Sequence, residues 1–149
     1  KSTILAAFRI LASALRKART RKPELVPTPQ GRGFGYKSDL SGVSVAEENI
    51  FFNYDDSAPA SVRFKLSNQS ELFLYFPELG SCYLIADTQV GPPRTPSAFC
   101  KHFNCPIGFV PILGPVEHKE ALYKEEAARH ALFNYTAARN FRNIWYHYP

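Results

Sequence analysis

Ile4, Phe8, Leu11 and Leu15 recur at helical spacing, with Ala6, Ala7, Ala12 and Ala14 between them, so a helix is predicted at once over residues 1–18. The pattern then breaks. Pro23, Pro27, Pro29 and the tract Gly31-Arg32-Gly33-Phe34-Gly35 forbid a continuing helix, and residues 19–42 read as a basic Pro/Gly-rich insertion. Its glycine tract reads as a flexible loop, a mobile cover or a partner contact. Alternation of period two follows. Val62, Phe64 and Leu66 alternate with Arg63 and Lys65, and Leu72, Leu74 and Phe76 alternate with Phe73 and Tyr75. Together with Ser81 to Ala86 they predict three short strands, 61–66, 71–76 and 81–86, of an antiparallel meander, turning at Asn68-Gln69-Ser70 and Pro77-Glu78-Leu79-Gly80. Gly108 to Pro111 precedes the loop Ile112-Leu113-Gly114-Pro115 and closes a β-rich stretch over 43–115. The remainder, 116–149, is predicted to be mostly helical, with an acidic start at Glu117 to Glu120 and an apolar stripe of Leu122, Ala128, Leu132 and Phe133.

This pattern predicts a mixed α and β fold in which one sheet face is buried and the other partly wet. Phe73 and Tyr75 are unusually apolar for a wet face. They suit burial against a further part of the domain, or stacking against nucleic-acid bases. Glu125 and Glu126 stand four residues ahead of Arg129 and His130, a spacing that stabilises an exposed helix face. At the end of the chain, two readings of Arg139-Asn140-Phe141-Arg142 stay open: Phe141 and Ile144 complete the core with the arginines in water, or Arg139 and Arg142 meet DNA phosphates or a partner.

The chain has 149 residues, enough for one domain, and a net charge of +5, which permits nucleic-acid contact without requiring it. Five cations fall within seven residues at the end of the first helix: Arg16, Lys17, Arg19, Arg21 and Lys22. They suit the negative end of the helix dipole, and with Arg32 and Lys37 they also suit a phosphate backbone. Cys82, Cys100 and Cys105 cannot all pair within the chain, so reduced thiols are expected. Cys100, His102 and Cys105 gather three metal-ligand types, but only the distant Cys82 or His118 could complete a zinc site. No apolar run is long enough to span a bilayer, because Arg9 and Ser13 interrupt the first helix, and a cytoplasmic location is expected. Neither a GxSxG elbow nor an HExxH pair occurs.

The candidate chemistry lies at Lys1-Ser2-Thr3. These residues, followed directly by a hydrophobic helix, match the second half of the phosphate loop GxxxxGK[ST]. In that loop the Lys reaches the β- and γ-phosphates, the next hydroxyl holds Mg²⁺, and the orphan N–H groups of the helix attract anions. On this reading the chain is a piece of a larger protein whose glycine-rich half-motif precedes Lys1.

The Lys-Ser-Thr start, its helix and the meander resemble the N-terminal part of ABC-type P-loop ATPase heads of the SMC, RecF and OLD group. Ala138 to Tyr146 also looks like the start of a helical region in AAA-type ATPases encoded in DNA-repair and phage-defence loci. The resemblance implies an α/β fold: a P-loop ATPase N-terminal lobe with an antiparallel β-meander and a C-terminal helical region. It implies ATP and Mg²⁺ as cofactors, held through Lys1, Ser2 and Thr3, with Ser2 on the metal. It also implies a homodimer through the head, action on DNA, and an effector subunit as a further partner. Gln89 is the residue that fits the Q-loop glutamine of these ATPases by type, whereas the segment 108–115 fits by position and has no Gln. No signature resembling LSGGQ and no apolar run ending in Asp-Glu occurs, so hydrolysis would need a lobe outside this sequence and a second head. The contrasting expectation is a non-enzymatic α+β domain that binds nucleic acid or assembles with a partner.

Overall fold

Alternation and helical spacing both emerge in the computed structural model, which describes residues 2–41, 43, 45–107, 121–131 and 140–147. The chain divides into two compact units, Lys1–Leu40 with Val45–Ile107, and Ser41–Ser44 with Gly108–Pro149. The fold is mixed α/β: among the described residues there are four α-helices and one five-stranded antiparallel sheet.

The first unit begins with α1 (Ser2–Ala18). Its buried stripe is Ile10, Leu11, Ala14, Leu15 and Ala18, whereas Ile4, Leu5 and Phe8 are exposed at 65%, 56% and 43%. The predicted stripe therefore packs fully only in its later members, Leu11 and Leu15. Arg16 and Lys17 sit in the last turn, where cations oppose the negative end of the helix, and Pro23 follows shortly after.

The segment expected to be a flexible loop is instead a hairpin, β1 (Glu24–Thr28) and β2 (Gly31–Ser38), with Val26 opposite Gly33 and Glu24 opposite Gly35. Pro27 is tolerated because β1 is the edge strand, where a missing N–H need not break a ladder. Gly35 is required by close approach. A Cβ there would lie 2.7 Å from Val26 Cγ2 and 2.8 Å from the Leu84 carbonyl oxygen. The glycines that hide the strand from a sequence pattern are thus the ones that let β1 fold over it.

The meander follows as β3 (Ala60–Lys65), β4 (Glu71–Phe76) and β5 (Cys82–Asp87), each within a residue of its prediction. The sheet order is β1-β2-β5-β4-β3, so β2 closes onto the last strand rather than the first. Register pairs Tyr36 with Leu84, Leu84 with Leu74 and Leu74 with Val62. Directly opposed residues share a face, so Tyr36, Leu74 and Leu84, together with Leu72, Phe76, Cys82 and Ala86, form the buried face. Both helices of this unit lie on it. Phe8 meets Phe64 at 5.3 Å between ring centroids, and Phe99 of α2 (Pro96–His102) meets Tyr36 at 5.5 Å. Thr95 caps α2 by accepting from the Ala98 N–H at 3.2 Å.

In the second unit, α3 (Glu125–Ala131) buries Ala128 and Ala131, and Arg129 donates to Glu125 at 2.7 Å, the expected i,i+4 pair. Leu122, expected in the apolar stripe, is exposed ahead of the helix, while Leu132 and Phe133 lie outside the described residues. In α4 (Phe141–His147) the buried residue is Asn143, and Phe141, which one of the two readings placed in the core, is exposed. The reason is polar. Residues 121–124 are not helical, and the Asn143 amide serves their backbone, accepting from the Tyr123 N–H at 2.5 Å and donating to the Ala121 carbonyl at 2.7 Å.

Gly35→Ala should lower unfolding stability by about 1–3 kcal/mol, read from urea melts, because the Leu84 carbonyl cannot rotate away. Asn143→Ala should cost about 1–3 kcal/mol in the same assay by stranding two backbone groups, and Asn143→Leu should not recover it.

Candidate functional site

Helix α1 begins at Ser2, directly after Lys1, and its first turn carries no acidic residue. The first N–H groups of a helix have no partners within it, so this end presents a positive potential with no carboxylate to cancel it. Thr3 is exposed there, and Ile4 and Leu5 surround it with uncovered apolar surface. Lys1 lies outside the described residues. The geometry can thus offer backbone donors and the Thr3 hydroxyl to an anion.

Gln89 lies in the exposed turn that follows β5, where Thr88 donates to the Gly91 carbonyl at 2.7 Å and Gly91 takes φ +96°. The Gln89 amide donates to Gln69 Oε1 at 2.6 Å, which ties this turn to the β3–β4 turn. The segment 108–115 lies outside the described residues.

The five clustered cations separate into different roles. Arg19 donates to the Cys105 carbonyl at 3.0 Å and joins the end of α1 to the segment after α2. Arg16 and Lys17 occupy the last turn of α1, while Lys17, Arg21 and Lys22 are exposed. Arg142 is exposed on α4, and Arg139 lies outside the described residues.

The cysteines are all unpaired, and among the described residues no group of three His, Cys, Asp or Glu side chains could hold a metal. His118 lies outside them. Burial pushes the Cys82 thiol up to about 12, and the Glu47 carboxylate adds to that rise. Cys100 is exposed at the surface of α2.

A further surface was only half legible in sequence. Opposite the helix-covered face, Phe73 and Tyr75 stack at 6.1 Å with an angle of 17°, and the Arg63 guanidinium lies 5.4 Å from the Phe73 ring centre. Tyr83 and Ile85 stand beside them in register on β5. The alternation of Cys82, Leu84 and Ala86 with Tyr83 and Ile85 was the signal that would have added them. Phe34, assigned by sequence to a loop, instead sits on β2 under the Arg94 guanidinium, 3.5 Å from its ring centre.

Comparison of the chain with protein-family models, with characterised proteins and with solved structures gave no match. Among the described residues, no helix is long and apolar enough to cross a membrane.

Alkylation at pH 8 should label Cys100 rapidly and leave Cys82 protected until denaturant is added, as read by mass spectrometry. The Cys82 thiol titrates higher folded than unfolded, so its contribution is fully present below the ordinary value of 9.0 and is lost as pH rises towards about 12. Wild type should lose stability relative to Cys82→Ala across that window, by up to about 1.4 kcal/mol per pH unit.

Proposed function

We propose that this chain is the ATP-binding lobe of an SMC/ABC-like ATPase that acts on DNA in repair or phage defence. The observation that supports the reading is α1 itself, which covers Ser2–Ala18 with no acid in its first turn and follows Lys1 in the sequence. Such an end suits a phosphate chain, because the Thr3 hydroxyl is exposed and no carboxylate in the first turn repels the anion. Lys1 would neutralise charge on the β- and γ-phosphates, Ser2 would ligate Mg²⁺, and Thr3 would hydrogen-bond a phosphate oxygen. Bound ATP would supply the energy of phosphoryl transfer. Gln89 is the candidate for the Q-loop contact to the metal and the attacking water.

The exposed apolar residues Ile4, Leu5 and Phe8 support the same reading, since they offer a surface for the rest of an ATPase head to cover. No apolar run ending in Asp-Glu and no LSGGQ-like signature occurs in this sequence, so on this reading hydrolysis would need a further lobe and a second head in a homodimer, with an effector subunit as a further partner. A second reading is favoured by the aromatic sheet face. There the chain is a non-enzymatic α+β module that binds nucleic acid or assembles with a partner, and ATP plays no part.

The experiment is ATP binding, in the presence of Mg²⁺, by the complete protein. Lys1→Ala should weaken binding by about 10- to 100-fold, the effect of one hydrogen bond to a charged group worth about 1.5–3 kcal/mol. Equal affinity in wild type and Lys1→Ala, or no binding by wild type, would contradict the ATPase reading.

A further inference from the structure

We infer that the sheet face opposite α1 and α2 is a platform for single-stranded DNA, with Phe73, Tyr75 and Tyr83 stacking on bases and Lys37 and Arg63 on the backbone. This deepens the DNA part of the proposed function and rests on that part alone, independently of the nucleotide site.

Register places the residues in rows across the strands. In one row Lys37, Tyr83, Tyr75 and Ser61 stand opposite one another on β2, β5, β4 and β3. In the next, Ile85, Phe73 and Arg63 do so. Each row therefore carries aromatic surface in the middle of the sheet and a cation towards its edge. On β3, β4 and β5 no residue of this face is buried: Phe73, Tyr75, Tyr83 and Ile85 are half-buried, and Arg63 and Lys65 are exposed. The acids lie in the third row and are engaged. Glu71 faces Arg63 at 3.8 Å and Lys65 at 3.6 Å, and the Asp87 carboxylate accepts from the Thr88 N–H at 2.9 Å.

Charge complementarity chooses the occupant. The core of a protein interface is depleted of charge, whereas cations here flank the aromatic rings within their own rows. Rings on a pleated sheet meet the faces of bases only when those bases are unstacked, which selects a single strand over a duplex. Stacking of this kind tolerates any base, so binding should depend weakly on sequence.

The test is fluorescence polarisation of the complete protein, without nucleotide, on a labelled single strand of about 15 nucleotides, a length within the usual site sizes. A duplex and an RNA strand of the same length serve as competitors. Phe73→Leu and Tyr75→Leu keep apolar bulk at the face, and thermal melts identify any variant that fails to fold. Each should weaken single-strand binding by roughly 5-fold or more, and Arg63→Ala should reduce the slope of log affinity against log salt by about 0.7. If single strand and duplex bind alike and the leucine variants bind as wild type does, DNA is held elsewhere and this proposal is overturned while the DNA reading stands. If no DNA binds, both fall, with the ATP reading judged separately by Lys1→Ala. Two other results overturn it: tighter binding of the RNA strand, or leucine variants that change the sedimenting mass of the protein and leave DNA affinity intact, which marks the face as a protein interface.

Discussion

The closeness of α1 to the sheet is the constraint on which the first unit depends. Ala14 and Ala18 are completely buried, and these small side chains let the helix backbone approach while Ile10, Leu11 and Leu15 fill the space beside them. Burial of each of those three larger side chains is worth roughly 1.5–3 kcal/mol. The contact uses only the second half of the helix. Its first turns leave Ile4 and Leu5 uncovered and Phe8 only partly covered, by Phe64, with Thr3 exposed. The same packing commits one sheet face to α1 and α2, and so decides which residues of β3, β4 and β5 stay accessible.

Much of this was legible in sequence because the sheet is half-covered. A half-covered strand alternates, and β3, β4 and β5 were found at nearly their observed bounds. The hairpin β1–β2 was hidden for a physical reason: glycine at 33 and 35 removes the side chains that make alternation visible, and the same absence lets Val26 lie over Gly35. Helix α1 was placed correctly, but spacing alone cannot tell how fully each apolar residue is covered, so Ile4 was assigned to a stripe that is fully buried only from Ile10 onward. In α4 the buried position was one that neither reading named, Asn143. An asparagine is a poor core residue until there is backbone for it to satisfy, and the bare carbonyl of Ala121 and N–H of Tyr123 are not visible in a sequence pattern.

The candidate site was legible to a different degree at each residue. The Lys-Ser-Thr start suggests an anion site at the head of α1, and in the fold α1 runs over Ser2–Ala18 with no acid in its first turn. The basic cluster could not be resolved by composition, since Arg19 acts as a structural donor to Cys105 while Arg21 and Lys22 remain in solvent. Cation–π pairs such as Arg94 over Phe34 join residues far apart in the chain, and nothing local announces them. The molecule keeps two uncovered surfaces: the first turn of α1, where Thr3, Ile4 and Leu5 are exposed, and the aromatic sheet face, where Phe73 and Tyr75 are half-buried beside Arg63.

The claim that matters most is that ATP meets the protein at the first turn of α1. Hydrogen exchange of the complete protein, followed by mass spectrometry over the peptide that spans Ser2 to Phe8, tests it directly. The account predicts slower exchange there with ATP and Mg²⁺ together than with Mg²⁺ alone, because the orphan N–H groups become donors to phosphate. Unchanged exchange in that peptide, under conditions where the protein demonstrably holds ATP, would contradict it.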